Sequence, residues 1–356
     1  MTNNERSLIE RAQRVAEEVL YPDAVAVDLD GMVPARHWEA LAAEGLYGVA
    51  VAGLDLSDIA RIIEVLAGGC LSTAFIWMQH HSAVRSLANT ANADLRESFF
   101  ADLVSGRKRA GAAFTGAIVQ PAKLWATRID GGYLLTGDAL FASGWGVVDL
   151  LQVAAREKTA DAADTVVSGL IEATAAETLS ATPVCLVAGQ ATATVRLRFD
   201  NHLLPDDRVS GVAALSDFCT AQTIGSRLNG AVACGIAERA IDLLEQISAG
   251  PASLLREQWH SVHAGLDNMP DPDVLAKARA VALRSAATLV AASGSAALET
   301  GHPAQRLMRE ATFTLVATTL PEIRALLVDG LAGDAFEARH ESRRPLSPGV
   351  APARSA

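Results

Sequence analysis

The chain has 356 residues, half of them hydrophobic, and a formal net charge of −11. That length and apolar content allow two or three lobes around a large core without disulfide staples. The acidic balance argues against a nucleic-acid partner, whose phosphates want the opposite sign. Cys70, Cys185, Cys219 and Cys234 show neither C-x-x-C pairing nor metal-ligand spacing, so reduced thiols, no metal and a cytoplasmic setting are expected. Met1 to Leu20 is charged and amphipathic, unlike a signal peptide. No uninterrupted apolar run reaches the roughly 18–20 residues of a membrane span.

The first hundred residues read as helices. Leu8, Ile9, Ala12, Val15, Ala16 and Val19 recur at helical spacing, on a helix starting near Asn4 that Pro22 is expected to stop. Pro34 to Glu44 is a second helix, closed by Gly45. Ser57 to Leu66 is a third, with Ser57 as its expected N-cap. Thr73 to Leu87, with Phe75, Ile76, Trp77 and Met78, is a fourth. Asp94 to Val104 is a fifth, closed by Gly106.

At Ala110 the apolar period shortens to two. Tyr133-Leu134-Leu135 reads as a short strand turned by Thr136-Gly137, before a second run with Phe141-Ala142-Ser143 at its mouth. Leu150 to Ala155 is apolar on both faces and reads as a buried strand. Glu157 to Asp164 is a polar hairpin loop, and Val166 to Ile171 another strand. Val195, Leu197 and Phe199 alternate with Arg196, Arg198 and Asp200, as in a half-buried strand. Small residues between Phe141 and Gly146 leave room for something planar to approach the backbone.

Helices return from Leu215. Thr223 to Ile247 is long and carries Gly225, Gly230 and Gly235, which points to a close neighbour at an interior helix position. Ser253 to Leu266, Asp273 to Leu298 and Gln305 to Leu331 follow, the last bent or broken at Pro321. The expected domains are therefore an all-α domain at 1–109, a β-domain at 110–210, an α-helical domain at 211–333 and a disordered tail at 334–356.

Helices, then a β-domain, then helices resembles the acyl-CoA dehydrogenase superfamily, and the residues match in order. Ser72–His81 resembles that family's fourth-helix segment, and Ala113-Phe114-Thr115 its flavin-facing L-T-E strand. G-G-Y-L-L-T-G-D-A-L-F-A-S-G from Gly131 is similar to its G-Y-x-L-N-G-x-K-x-W-I-T-N. Arg196–Val209 resembles its F-x-x-V-x-V-P exit strand. Gly235–Asp242 resembles its G-x-A-x-x-A-L-D helix, and Pro303–Ala311 its P-V-E-R-L-x-R-D-A. The resemblance spans roughly residues 5–331 and implies an α+β fold with a bundle of C-terminal helices.

It also implies bound FAD between the β-domain and those helices, in a homodimer or homotetramer. Phe114 and Thr115 would face the flavin, Phe141 would stack on it, and Ala142 and Ser143 complete the family's Trp-Ile-Thr position. The family's G-G-x-G diphosphate stretch falls on Gly294-Ser295-Ala296-Ala297, with only Gly294 kept, and its R-x-x-F-G segment has no counterpart between Asp242 and Ala278. FMN, or no flavin, stays open. Glu322 matches a polar cofactor contact. The substrate implied is an acyl-CoA or carrier-bound acyl group, with Arg227 or Arg128 as sources of positive charge for CoA phosphates.

The base such dehydrogenases need is a carboxylate whose pKa a dry pocket raises. The family's Glu falls on Thr318, and its alternative position on Gly225 or Ser226. The catalytic residue is thus unassigned. Among other groups, Glu310 is expected to pair with an arginine. Glu322 lies one helical turn from Thr318, Glu238 is read as a surface charge beside Arg239, and His302 as a non-catalytic loop residue. His80 and His81 either face the acyl channel or are satisfied within the core. Two alternatives stay open. One is a reduced-flavin-dependent monooxygenase of the same fold, whose β-domain often reads F-A-S-G as Phe141–Gly144 does. The other is a non-redox partner subunit of a heteromer, or an acyl-binding module.

Overall fold

The structure is a computed structural model that describes residues 3–157, 164–266, 271–317 and 320–340. Helix α1 (Asn3–Val15) runs through a π-helical segment (Ala16–Leu20) into α2 (Tyr21–Asp30). Pro22 does not stop this helix as expected. It occupies the first turn of α2, where a missing N–H is tolerated, and the wider π turn lies immediately before it. Next come α3 (Ala35–Ala43), α4 (Leu56–Gly69), α5 (Leu71–Asn89) and α6 (Ala93–Ser105). The N-cap of α4 is Asp55, whose carboxylate accepts the Asp58 N–H at 2.8 Å; Ser57 already lies inside the helix.

Eight strands form one sheet: β1 (Ala110–Ala113), β2 (Leu124–Ile129), β3 (Gly132–Ala142), β4 (Leu150–Glu157), β5 (Thr165–Glu172), β6 (Leu179–Pro183), β7 (Val195–Pro205) and β8 (Val209–Ala214). The order is β6-β7-β3-β2-β4-β5-β8, with β1 parallel to β4. A single turn, α7 (Thr115–Ile118), links β1 to β2. β4 is buried on both faces, and β7 alternates buried and exposed over Val195–Asp200. The turn expected at Thr136-Gly137 is absent. β3 runs straight through it as one strand, and a register shift against β7 at Leu135/Gly137 is absorbed by Gly137 at φ +126°.

The C-terminal helices are α8 (Leu215–Glu245), α9 (Ala249–Leu266), α10 (Pro272–Ser293), α11 (Pro303–Val316) and α12 (Pro321–His340). Gly235 of α8 sits so close to the Glu64 carbonyl of α4 that a Cβ would collide with backbone, which explains that glycine by helix packing. Helix α12 continues to His340 where a disordered tail was expected from residue 334. Residues 341–356, the loop at 158–163 and Thr318 lie outside the described residues. The segment Pro272–Leu298 is long and apolar enough to cross a membrane by length and composition. Here Leu275, Ala278, Val281, Ala282 and Leu289 are buried in the main core beside residues of α8 and α11.

One hydrophobic cluster spans the N-terminal helices, β-strands and C-terminal helices. A second joins α5 and α6 to β1, β4 and β5, through Val84, Leu87, Leu103, Ala110, Leu150 and Leu170. A third sits under the first turn of α8, where Phe114, Leu215 and Phe218 pack on Ala117, Ala154 and Val166. The sheet is thus gripped from both ends of the chain.

Candidate functional site

The site is built on the rim of β3. A second register shift against β7, between Ala139 and Ala142, pushes Phe141 into the left-handed region at φ +58°, with its side chain 52% exposed. A large residue in that conformation is strained, and such strain persists where the surrounding structure imposes it, often at ligand sites. Ala142 beside it is buried. The Thr115 hydroxyl donates to the Leu140 carbonyl, which sets the end of β1 against this rim. Phe114, half-buried, meets Phe218 of α8 edge-on, with ring centroids 5.7 Å apart. Thr115 is thereby tied to Leu140 next to Phe141, while Phe114 turns to Phe218 and Ala142 and Ser143 are buried.

Ser143 does not point freely outward. It is 4% exposed and its hydroxyl lies 2.8 Å from that of Thr194. Thr194 lies 2.7 Å from the Thr192 hydroxyl, which donates to the Gly189 carbonyl at 2.7 Å. Backbone bonds fasten the same two turns: Gly144 N–H to the Thr192 carbonyl at 2.8 Å and Trp145 N–H to that of Ala193 at 3.1 Å.

The other three cofactor residues stand elsewhere. Gly294 caps α10 at φ +65°, Ser295 follows it exposed, and Glu322 is exposed in the first turn of α12. Among the described residues, no hydrogen bond, ion pair or ring contact joins them to the β3 rim. The reading that set Glu322 one helical turn from Thr318 falls partly on Thr318, outside the described residues. Helix α11 ends at Val316, and Pro321 starts a separate helix because the residue before a proline resists helical geometry.

Two of the carboxylates that could replace the missing base, Glu310 and Glu238, are engaged. Glu310 is buried, and both of its oxygens lie 2.9 Å from Nη1 of Arg306. Burial pushes its carboxyl up, Arg306 pulls it back, and the pair is structural. Glu238 is not a surface charge beside Arg239. It is half-buried and bonds Arg61 of α4 at 2.8 Å, while Arg239 turns to Glu17 and the Gly68 carbonyl. Ser226 is buried in α8, with its hydroxyl 3.4 Å from the Gln222 carbonyl.

The arginines proposed for CoA phosphates are also occupied. Arg128 forks onto Asp206 across the sheet, and buried Arg227 donates to the Ser57 hydroxyl at 3.0 Å.

The histidines resolve separately. His80 donates from Nε2 to the Leu103 carbonyl at 3.1 Å and accepts the Ala110 N–H at Nδ1 at 3.0 Å. Those bonds fix a neutral tautomer, and burial drives its pKa down to about 4. His81 is buried edge-on against Trp77 at 4.4 Å, its ring nitrogens have no hydrogen-bond partner among the described residues, and burial holds its pKa well below the usual value. His302 is the N-cap of α11 and accepts the Ala304 N–H at 3.2 Å.

Sequence reasoning missed Thr192, Thr194 and Phe218. No local signal pointed to Thr192 and Thr194, because Gln190–Thr192 is a 3-10 turn followed by Ala193 at φ +47°.

The wall suits a planar aromatic group. A half-exposed ring on a forced backbone, flanked by small residues, offers a flat apolar surface. At Gly294 the backbone is open, since a Cβ there would meet nothing within 4 Å, but Ser295, Ala296 and Ala297 bring no charged side chain to a diphosphate.

Helical layer, eight-stranded sheet and helical bundle together define the acyl-CoA dehydrogenase fold. Butyryl-CoA dehydrogenase from Megasphaera elsdenii superposes with a TM-score of 0.77 at 18% identity, covering 93% of this chain and 98% of that one. PigA bound to FAD and proline superposes at 0.75 with 19% identity, over 94% and 98%. Residues 2–107 match the family of the acyl-CoA dehydrogenase N-terminal domain. Benzylmalonyl-CoA dehydrogenase from Aromatoleum aromaticum is 28% identical over 167 residues, 44% of each chain. The chain thus carries the acyl-CoA dehydrogenase fold, and its residues 2–107 match that family's N-terminal domain. Its matches to curated relatives span from 44% to 66% of their lengths.

Proposed function

We propose that this protein is a flavin-dependent oxidoreductase that binds FAD against the β3 rim and acts on an acyl thioester or a carrier-bound acyl group. The observation that carries the reading is Phe141, held at φ +58° with its ring half exposed on a bulged strand. FAD bound there supplies a hydride acceptor. Phe141 and Phe114 flank its ring, Ala142 keeps the wall thin, and Phe218 closes the side toward α8. Gly294 and Ser295 offer open backbone to a diphosphate, reached within an oligomer.

A dehydrogenase must also take a proton from the α-carbon. Among the described residues that could have served, Glu310 and Glu238 are held by arginines and His80 by two backbone groups. This favours a second reading, a reduced-flavin-dependent monooxygenase of the same fold, in which no carboxylate base is required. The absorbance spectrum of the purified protein tests the flavin. Anaerobic bleaching by acyl-CoA then supports the dehydrogenase, and oxygen-dependent product formation with supplied reduced flavin supports the monooxygenase. A colourless protein that takes up neither FAD nor FMN rejects both.

A further inference from the structure

His37 is fully buried in the first turn of α3, yet side chains engage both of its ring nitrogens. Nε2 lies 2.9 Å from Oδ2 of Asp23 on α2, and Nδ1 lies 2.8 Å from the hydroxyl of Thr73 on α5. The Thr73 oxygen is in turn 3.3 Å from Sγ of Cys70, the residue that joins α4 to α5. Thr73 and Cys70 are buried as well. Four groups from three parts of the helical layer thus stand in one row.

The protons in the row can be counted. Arg36 clamps Asp23 and holds its carboxyl below the usual carboxylate range, so Asp23 only accepts. Nε2 of His37 therefore carries a proton. In the neutral ring Nδ1 is then an acceptor, so Thr73 donates to it and the Cys70 S–H donates to Thr73. A proton added at Nδ1 turns these two links around. Nδ1–H donates to Thr73, Thr73 donates to Cys70 Sγ, and the Cys70 proton is set free. Reversal is open because a hydroxyl and a thiol each donate and accept. His80 is the contrast. Its Nδ1 accepts the Ala110 N–H, which cannot turn, so a proton there breaks a bond.

We infer that Asp23, His37, Thr73 and Cys70 form a reversible proton relay, an acid-sensing device built into the helical layer. One proton taken from solvent resides on His37, while Thr73 and Cys70 each keep their own, and the heavy atoms stay in place. Burial pulls His37 below its ordinary value, Asp23 pulls it back up, and Arg36 opposes the cation. The relay therefore reverses below the ordinary histidine range, with Asp23 still ionised beside Arg36. At the other end Glu310 and Arg306 of α11 face Cys70, where burial and then Glu310 keep the group a thiol. Other charges nearby turn away: Arg11 and Arg14 of α1 to Glu44 past the far end of α3, and Glu17 to Arg239.

Two spectroscopic signals read the two ends. The S–H stretch of Cys70 is isolated as the Raman difference between the natural protein and Cys70→Ala. The His37 ring is followed by imidazole nitrogen NMR and assigned by its loss in His37→Gln. At neutral pH the expected result is a ring protonated at Nε2 alone and an S–H band at the lowered frequency of a donor. As pH falls, the band should rise to the frequency of a free thiol, with the same midpoint as the His37 titration. Thr73→Ser should keep this coupling, and Thr73→Val should leave the thiol free at every pH. Should Thr73→Val fail to fold, the natural protein and Thr73→Ser still decide. A static hydrogen-bonded cluster would give an S–H band that ignores pH. That outcome overturns the inference, as does a neutral His37 protonated at Nδ1, or a His37 that takes up no proton before the chain unfolds.

Discussion

The amino end of α5 and the rim of β3 handle polar and strained groups in opposite ways. At the start of α5 most strong groups are answered from within the chain, although Nε and Nη2 of buried Arg306 have no hydrogen-bond partner among the described residues. His37 bonds the Thr73 hydroxyl at 2.8 Å through Nδ1 and Asp23 at 2.9 Å through Nε2. Thr73 reaches Cys70 Sγ at 3.3 Å, and Arg306 holds Glu310 nearby. At the β3 rim an aromatic ring stands half in solvent on a backbone conformation it would not choose. The first region is largely paired within itself. The second is left incomplete, and incompleteness of that kind is where a ligand belongs.

The largest test of this contrast is Glu310→Gln. Removing one partner of a buried pair leaves the Arg306 charge stranded, so a loss of about 3–5 kcal/mol in denaturant unfolding is expected. A stable variant with altered catalysis would instead move Glu310 to the functional side. Next comes acid sensitivity. His80 has its pKa lowered to about 4 in the folded chain, against about 6.5 unfolded. A lowered histidine contributes stability that is whole above 6.5 and drains as pH falls toward 4, roughly 3 kcal/mol in total. Glutamine can keep both bonds without titrating, so His80→Gln should flatten that part of the stability–pH curve.

Gly235→Ala forces α8 away from α4 and should cost about 2–3 kcal/mol, measured by thermal unfolding. The smallest effect on stability is expected at the rim. Phe141→Gly removes a strained, exposed side chain, so stability should stay within about 1 kcal/mol or rise slightly. Flavin affinity should nevertheless fall about tenfold by absorbance titration, in line with the loss of one stacking partner. A large stability loss with unchanged flavin affinity would make Phe141 a core residue and erase the contrast.

Much of the fold was legible because it is written in periodicity. The helical spacing at Leu8–Val19 and the alternation at Val195–Phe199 both report a buried face directly. The failures came where geometry depends on a neighbour distant in sequence. Gly137 looks like a turn residue until β7 pairs alongside and makes it a bulge. Pro22 looks like a stop until a π segment precedes it. Glu238 looks exposed until Arg61, from helix α4, reaches it. At the site, the aromatic and small residues of the rim could be read from the F-A-S-G stretch. The orientation of Ser143 could not, because it is set by hydroxyls some fifty positions away.

The turn that carries those hydroxyls also does mechanical duty. Gln190 lies over Gly31 at the end of α2, and Gly189 sits against the Phe313 ring of α11, itself edge-on to Phe75 of α5. A single short connection from the sheet is therefore wedged among three helices from both halves of the chain. The sheet cannot rock on the helices without disturbing the turn that orients Ser143. Occupancy of the rim and the set of the helical bundle should accordingly be felt as one cooperative event, and heat or denaturant should release them together.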